Sequence, residues 1–352
     1  PTRRSSDLAG VRGWRLERRR ERSERWAVAA PVLALALTLV FGMLLFAVLG
    51  KDPVRTVEII FLEPLTQPFA RAELLVKGTP LVLIALGLSL GFRAGVWNIG
   101  AEGQFVMGAV AGGAAGLAVH GTEGVWVLPM MCLAGMAAGA AWAMVPAVLR
   151  VRFGASEILV SLMLVYVAEL FLSAMVSGPL RDPDGFNFPE SRLFHDSATL
   201  PRLIEGTRAH VGAPVALAAA VAAWLVLRRH AFGFGLELFG QAPKAARFAG
   251  FSEGATVAGC LAVSGAAAGL AGTFEAAGPV GQLVPGLPVG YGFTAIIVAF
   301  LGRLHPGGIV LAGGLLALTY IGGESAQLEM RLPAAAISVF QGMLLFFLLG
   351  AD

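Results

Sequence analysis

Residues 92–104 read Phe92-Arg93-Ala94-Gly95-Val96-Trp97-Asn98-Ile99-Gly100-Ala101-Glu102-Gly103-Gln104. An arginine, an asparagine, a glutamate and a glutamine fall between two apolar stretches, with three glycines among them and no ordinary hydrophilic loop. At bilayer depth each charge costs about 2.5–3.5 kcal/mol on insertion scales. Backbone groups freed from a helix there must be satisfied inside protein or in a water-filled cavity. The stretch therefore reads as an interrupted helix within a membrane-embedded bundle. Two roles stay open for its side chains. Asn98, Glu102 and Gln104 could be polar contacts along a pathway, or Arg93 could pair with Glu102 or cap a helix end and simply hold the bundle together.

The surrounding composition agrees. Of 352 residues 57% are hydrophobic and 46 are glycine, while charged residues make up 14%, against the ~25% that a soluble surface supplies. A water-soluble globule is excluded. Long apolar runs and a net charge of +3 spread among loops exclude disorder, collagen and nucleic-acid binding as well. Cys132 and Cys260 lie inside apolar stretches and read as small buried hydrophobes.

A spanning helix needs ~20 mostly apolar residues. Ten candidate spans follow, at 26–49, 79–93, 104–119, 125–149, 156–176, 211–228, 254–275, 290–303, 306–322 and 333–350. The expected fold is an all-α polytopic membrane protein with interrupted or re-entrant segments. The second and eighth spans are too short to cross unaided, so they must be tilted, broken or extended by their flanks. With both termini cytoplasmic, inside segments hold 17 of the 26 Lys and Arg and outside segments nine, which orients the chain that way. Residues 1–25 form a basic cytoplasmic head, of which 1–8 resemble translated adaptor sequence and carry no functional weight. The run from 26 to 49 exceeds the 7–15 residues of a signal-peptide core, so it reads as an uncleaved first span.

Between the spans, residues 51–78 mix Val57, Ile59, Ile60, Phe61, Leu62 and Leu65 with charges, which suits a helix lying along the outer surface. Residues 177–210 hold Asp182, Asp184, Glu190, Asp196 and Glu205 among prolines, and read either as a solvated loop or as a docking rim for an external partner. Gly108, Gly112 and Gly116 recur every four residues, as do Gly135 and Gly139, and Gly265 and Gly269. Small residues at that interval let helix backbones approach closely, which implies a tightly packed bundle. Glu157, Glu169 and Glu275 fall in or at the edge of spans, where an ionisable residue is a functional candidate. Glu157 is expected near the cytoplasmic edge; Glu169 and Glu275 could line a path or pair with arginines at the outer rim.

The run FRAGVWNIGAEGQFVMGA at 92–109 resembles the signature of membrane permease subunits of ABC importers that serve branched-chain amino acids, simple sugars and nucleosides. Its Arg-Ala-Gly before Trp-Asn is most similar to the nucleoside and simple-sugar branch. GASEILVSLMLVYVA at 154–168, GQAPKAARFAGF at 240–251 and GYGFTAIIVAFLGRLHPGG at 290–308 agree, so the likeness runs from about residue 26 to 350. It implies a transmembrane permease domain over 26–350. Arg93, Trp97, Asn98, Glu102, Gln104 and Glu275 are then the candidate pathway residues. Trp97, Phe293 and Phe300 could stack on a nucleobase or serve only as packing.

The segment 229–253 can be read from its residues. Pro243 suits the first turn of a helix, where its missing N–H would be unpaired anyway, and Gly250 suits the left-handed position past the end. Lys244 and Arg247 are three apart and Phe248 is four from Lys244, so one side of a two-turn helix shows cations beside an aromatic ring. From the residues alone this is a basic interfacial helix touching lipid headgroups. The resemblance implies instead a coupling helix seated in a cleft of the ATP-hydrolysing subunit, with Gly240, Pro243, Lys244, Arg247, Phe248 and Gly250 as its residues.

No Gly-x-x-x-x-Gly-Lys-Ser/Thr loop is present, so nothing here is built to hold the phosphates of ATP. No His-Glu-x-x-His pair occurs, the five histidines sit mainly in loops or at span ends, and Ser264 has no histidine on a suitable span, which argues against intramembrane proteolysis. The chain is thus expected to be no enzyme and to bind no metal or cofactor. ATP would be used by cytoplasmic ATP-binding subunits. The other expected partners are a second permease subunit, identical or related, an extracytoplasmic substrate-binding protein, and the lipid of a prokaryotic plasma membrane. The competing reading is an ion-driven secondary transporter with Glu102 or Glu275 as carrier, which broken helices and midplane carboxylates also fit.

Overall fold

A computed structural model describes residues 24–351, so nearly all of the basic head expected at 1–25 lies outside the described residues. These residues are mostly helical and form no strand; Arg202 and His210 make an isolated bridge. The helices are α1 (Glu24–Val48), α2 (Pro53–Phe61), α3 (Glu63–Thr66), α4 (Pro68–Arg93), α5 (Ala101–Ala118), α6 (Val127–Phe153), α7 (Glu157–Ser177), α8 (Gly212–Arg229), α9 (Ala231–Gln241), α10 (Pro243–Phe248), α11 (Glu253–Glu275), α12 (Tyr291–Leu301), α13 (Pro306–Met330) and α14 (Ala334–Ala351). Seven are long and apolar enough to cross a membrane: α1, α4, α6, α7, α8, α13, and α11 with the π-turn that follows it. With α5, α12 and α14, which fall outside that measure, they follow the order of the ten expected spans.

The local chemistry sets the helix ends. Asp52 accepts hydrogen bonds from the amides of Val54 and Arg55 ahead of Pro53 at the first position of α2, the arrangement that satisfies otherwise orphaned N–H groups. α6 stops at Gly154, whose φ of +66° is open to glycine at no steric cost, and Arg150 and Arg152 lie in its last turn, where cations complement the helix dipole. Histidines take the same capping role. The Nδ1 atoms of His210, His230 and His305 accept from the amides of Gly212, Phe232 and Gly307 at the starts of α8, α9 and α13. No group of three or more His, Cys, Asp or Glu suited to a metal occurs among the described residues.

α4 and α11 form the inside of the bundle. The most apolar window of α4 is 78% buried and that of α11 61%, against 22% for α7 and 17% for α8. α5, α6 and α11 meet through the glycines read from the sequence. A methyl group built on Gly108 would stand 2.2 Å from the Cα of Gly269, one on Gly139 would stand 2.2 Å from the carbonyl oxygen of Gly265, and one on Gly269 would stand 2.1 Å from the carbonyl oxygen of Gly135. The Thr273 hydroxyl fills the remaining gap, 3.0 Å from the Gly269 carbonyl oxygen and 3.2 Å from that of Gly108. Both cysteines are free, with Cys260 buried and Cys132 half-buried.

Three expectations need correction. The helix along the outer surface over 51–78 is only α2 and α3. Thr56, Ile59 and Ile60 of α2 are buried against protein, and residues 68–78 belong to α4. The second span is therefore 26 residues long rather than short. Its first part is obscured in the sequence by Arg71, Glu73 and Lys77, but Glu73 is paired with Arg208 at 2.6 Å and Lys77 lies 3.7 Å from Glu324. α13 likewise continues past the expected 322 to Met330, because Glu324 and Glu329 meet Lys77 and Arg55. The eighth span is different: α12 has 11 residues, about 16 Å at 1.5 Å per residue, and its crossing is completed by the non-helical residues 281–290.

Residues 178–211 form an ordered cap. The amides of Ser191, Phe194 and Leu200 donate to the carbonyls of Leu283, Gly281 and Ala277, and the amide of Leu283 donates to the Ser191 hydroxyl. The cap is thereby stitched to the π-turn Ala276–Val280 and the descending strand-like stretch after it.

Candidate functional site

Two helices, α5 and α12, begin inside the bundle after non-helical chain. α4 ends at Arg93, residues 94–100 run back into the bundle without helical bonds, and α5 begins at Ala101. Residues 281–290 enter from the opposite end, and α12 begins at Tyr291. The two half-helices start beside each other. The Glu102 carboxylate, in the first turn of α5, accepts from the amide of Gly290 at 2.8 Å and that of Gly292 at 2.5 Å, at the N-terminus of α12. One buried carboxylate thus sits at the N-terminal ends of two helices and accepts from amides that have no partner within α12. Gly292 is required here, since a Cβ would stand 2.2 Å from the Glu102 amide nitrogen.

Asn98 and Gln104 close the break. Their amides exchange hydrogen bonds at 2.8 and 3.0 Å, Asn98 also donates to the Ser264 hydroxyl of α11 at 2.9 Å, and the Gly100 amide donates to the Asn98 oxygen. Both side chains are almost fully buried. In this conformation their hydrogen-bonding capacity is spent on one another and on α11. Ser264 joins the break through a contact 166 residues distant in the chain, which no local sequence signal marks.

Arg93 does not meet Glu102. Its guanidinium donates to Glu237 of α9 at 2.8 Å and twice to the carbonyl of Leu304, just past the end of α12, at 2.9 and 3.2 Å. Arg93 thus ties the end of α4 to α9 and to the turn after α12. Trp97 stacks with Phe92 and Phe300 at ring separations of 5.0 and 5.8 Å and remains 39% exposed. Glu157 pairs with Arg150 at the end of the bundle that also carries Arg93 and α9, and the Trp97 amide points at it. Glu169 is half-buried on α7, close enough to Glu102 for their charges to repel.

Toward the other end, Glu275 accepts from the Tyr291 hydroxyl at 3.3 Å, and the Lys77 ammonium sits over the Tyr291 ring, 5.6 Å from its centre. Tyr320 shares a hydrogen bond of 2.9 Å with Thr294. Glu73 receives both Arg208 contacts, at 2.6 and 3.0 Å, and that pairing raises the Arg208 pKa. Burial pushes His210, in the cap, down from 6.5 to about 4. Lys77, Glu73, Tyr291 and Tyr320 were not singled out by sequence reasoning. The i, i+4 spacing of Glu73 and Lys77 would have flagged them once the span was extended to residue 68. Among the described residues no buried side-chain nitrogen or oxygen lacks a hydrogen-bond partner.

The segment 229–253 folds as expected around its short helix: Pro243 opens α10, and Gly250 has φ +88°. Ala246 is the buried residue of the helix, while Lys244, Arg247 and Phe248 are exposed, Phe248 to 95%. Arg247 pairs with Glu253 at 2.5 Å, at the start of α11. Gly240 presses on the break itself, since a Cβ there would lie 2.0 Å from the Arg93 carbonyl oxygen.

Comparison with known proteins identifies the family. The chain is 38% identical to a glucose ABC transporter permease protein of Haloferax volcanii, over 93% of this chain and 88% of the relative. It is 30% identical to a guanosine ABC transporter permease protein of Bacillus subtilis, over 90% and 91%, and 25% identical to a nucleoside ABC transporter permease protein of Lactococcus lactis, over 91% and 90%. No solved structure matches. The family described as branched-chain amino acid transport system, permease component, matches residues 70–349, and the chain belongs to it: it is a multi-pass membrane permease subunit of the ABC importer class.

Proposed function

We propose that this chain forms half of the route by which an ATP-driven importer carries an uncharged, polyhydroxylated solute, a sugar or a nucleoside, across a prokaryotic plasma membrane. The observation that carries the reading is the meeting of α5 and α12 on Glu102, with the non-helical stretches 94–100 and 281–290 leading to it inside a bundle whose described buried polar side chains are paired. Broken helices of this kind persist only in protein or along a water-filled cavity. The relatives named for glucose, guanosine and nucleosides support an uncharged polar solute over a zwitterionic amino acid.

In this reading residues 26–350 are the permease domain, residues 1–25 are a cytoplasmic head, and the end bearing α9 and α10 faces the cytoplasm. Trp97 is the exposed member of the pathway set. Asn98, Glu102, Gln104 and Glu275 fix the half-helices behind it. Glu169, a carboxylate part-way along the outward-facing α7, is costly against lipid, which supports a second permease subunit, identical or related, closing a shared route. Pro243, Lys244, Arg247 and Phe248, between Gly240 and Gly250, form the surface that cytoplasmic ATP-binding subunits grip. The cap over 178–211 receives an extracytoplasmic substrate-binding protein. The chain itself catalyses nothing and holds no cofactor. ATP moves the assembly only by binding one conformation better than the other.

Reconstitution with the companion subunits tests this. Uptake of labelled nucleoside or hexose should require ATP on the side of the ATP-binding subunits and should survive a protonophore. Uptake that collapses with the proton gradient at constant ATP would favour Glu102 or Glu275 as a proton carrier instead.

A further inference from the structure

The end of the bundle that carries α10 holds a joint that the transport reading does not by itself require. Arg93 lies at the last residue of α4, where the first broken crossing starts, and its guanidinium grips two other elements at once: Glu237 on α9 and the Leu304 carbonyl after α12. Its own carbonyl is covered by Gly240 of α9, at a distance that leaves no room for a Cβ. The turn it holds is strained. Arg303 and Leu304 both have left-handed backbones, with φ of +55° and +56°, a conformation that side-chain-bearing residues keep only when their surroundings enforce it. Beyond that turn α12 and α13 are locked together, because Gly308 sits against the Gly302 carbonyl, 2.3 Å from where a Cβ would be.

The ion pair is a weak candidate for a purely stabilising role. The Glu237 side chain is 55% exposed, and exposed pairs of this kind contribute little to stability. The arrangement is informative as geometry. A planar guanidinium can hold a carboxylate and a carbonyl in fixed relative positions, which a lysine ammonium on its flexible stem cannot.

We propose that Arg93 is the positioning residue through which the α9–α10 segment moves both broken crossings together: a displacement of α10 is delivered by α9, through Glu237 and Gly240, to the start of the 94–100 break and to the inner end of α12. The proposal rests on the reading of α10 as the surface gripped by the ATP-binding subunits. It explains why α12, whose start meets Glu102, is tied a second time beyond its other end, to the residue from which the first break departs.

The test uses the complete complex in proteoliposomes and reads solute moved per ATP hydrolysed. Arg93→Lys keeps the charge but cannot hold Glu237 and Leu304 together. It should lower that ratio about tenfold, the scale at which loss of a coupling residue acts, with ATP hydrolysis within about twofold of wild type and the melting temperature unchanged. Gly240→Ala, which forces α9 off the Arg93 carbonyl, should give the same uncoupling by an independent route. The double exchange Arg93→Glu with Glu237→Arg restores the pair but leaves the Leu304 carbonyl without its donor, so it should not rescue. Normal coupling in both Arg93→Lys and Gly240→Ala, or rescue by the exchange, overturns the joint while leaving ATP-driven import standing. Wild-type uptake that proceeds without ATP overturns both.

Discussion

Replacing Gly269 with alanine should destabilise the bundle, although alanine is the better helix former. The added methyl would stand 2.1 Å from the carbonyl oxygen of Gly135 and 3.2 Å from the Cα of Gly139, where ordinary contact begins near 3.4 Å. The obstructing atoms are backbone, so relief requires α6 and α11 to part by about 1 Å rather than a side chain to swing aside. Overpacking of this kind costs about 1–3 kcal/mol. Parting the helices also strains the Thr273 hydroxyl bridge to the Gly108 and Gly269 carbonyls, worth about 1 kcal/mol. The helix-propensity gain of alanine over glycine offsets about 1 kcal/mol. The net loss is about 1–3 kcal/mol, a fall of about 5 °C in melting temperature. Gly314→Ala on α13 is the control. Nothing lies within 4 Å of its added methyl, so only the propensity gain remains and the melting temperature should hold or rise. Thermal unfolding of the purified protein in detergent reads both. If Gly269→Ala melts at or above wild type, the close approach of α5, α6 and α11 is refuted.

Three further outcomes follow from the site. His210 is held neutral by burial, with its pKa near 4 against 6.5 in an unfolded chain. Its contribution is therefore complete above about pH 6.5 and is lost as pH falls toward 4, about 3 kcal/mol in all; His210→Asn, which can still cap Gly212, should flatten that part of the stability–pH curve. Glu102→Ala removes the acceptor shared by Gly290 and Gly292 and should cost about 2–4 kcal/mol of stability together with uptake, whereas Glu102→Gln, which keeps one oxygen, should lose less. Phe248→Ala combined with Arg247→Ala should abolish ATP-driven uptake while leaving the melting temperature within about 1 °C, because both side chains are exposed.

Much of the fold could be read from apolar runs alone, since most spans differ from the helices by only a few residues. The readings failed where charge sits inside a span and is neutralised from far along the chain. Glu73 and Lys77 look like loop residues until Arg208 and Glu324 are placed against them. The break at 94–100 was legible because polar side chains and glycines cluster there with no loop around them. Its partners were not, because the Gly290 amide that Glu102 accepts from is 188 residues away. The small-residue motifs announced close packing, and the structure shows that they pack on one another. The ends of α10 were legible from Pro243 and Gly250, which act through local backbone geometry. The Arg93–Glu237 contact left no local trace, because it joins two segments 144 residues apart.

The shared carboxylate also bears on how the chain is made. Ala101–Ala118 and Tyr291–Leu301 each leave extended backbone in the hydrocarbon layer until the other half arrives, and a ribosome working at about 5–20 residues per second delivers those halves about 10–40 s apart. During that interval the Glu102 carboxylate has neither of the amide donors, Gly290 and Gly292, that it meets in the folded chain. The pairing of this buried carboxylate therefore waits on synthesis of the C-terminal part of the chain.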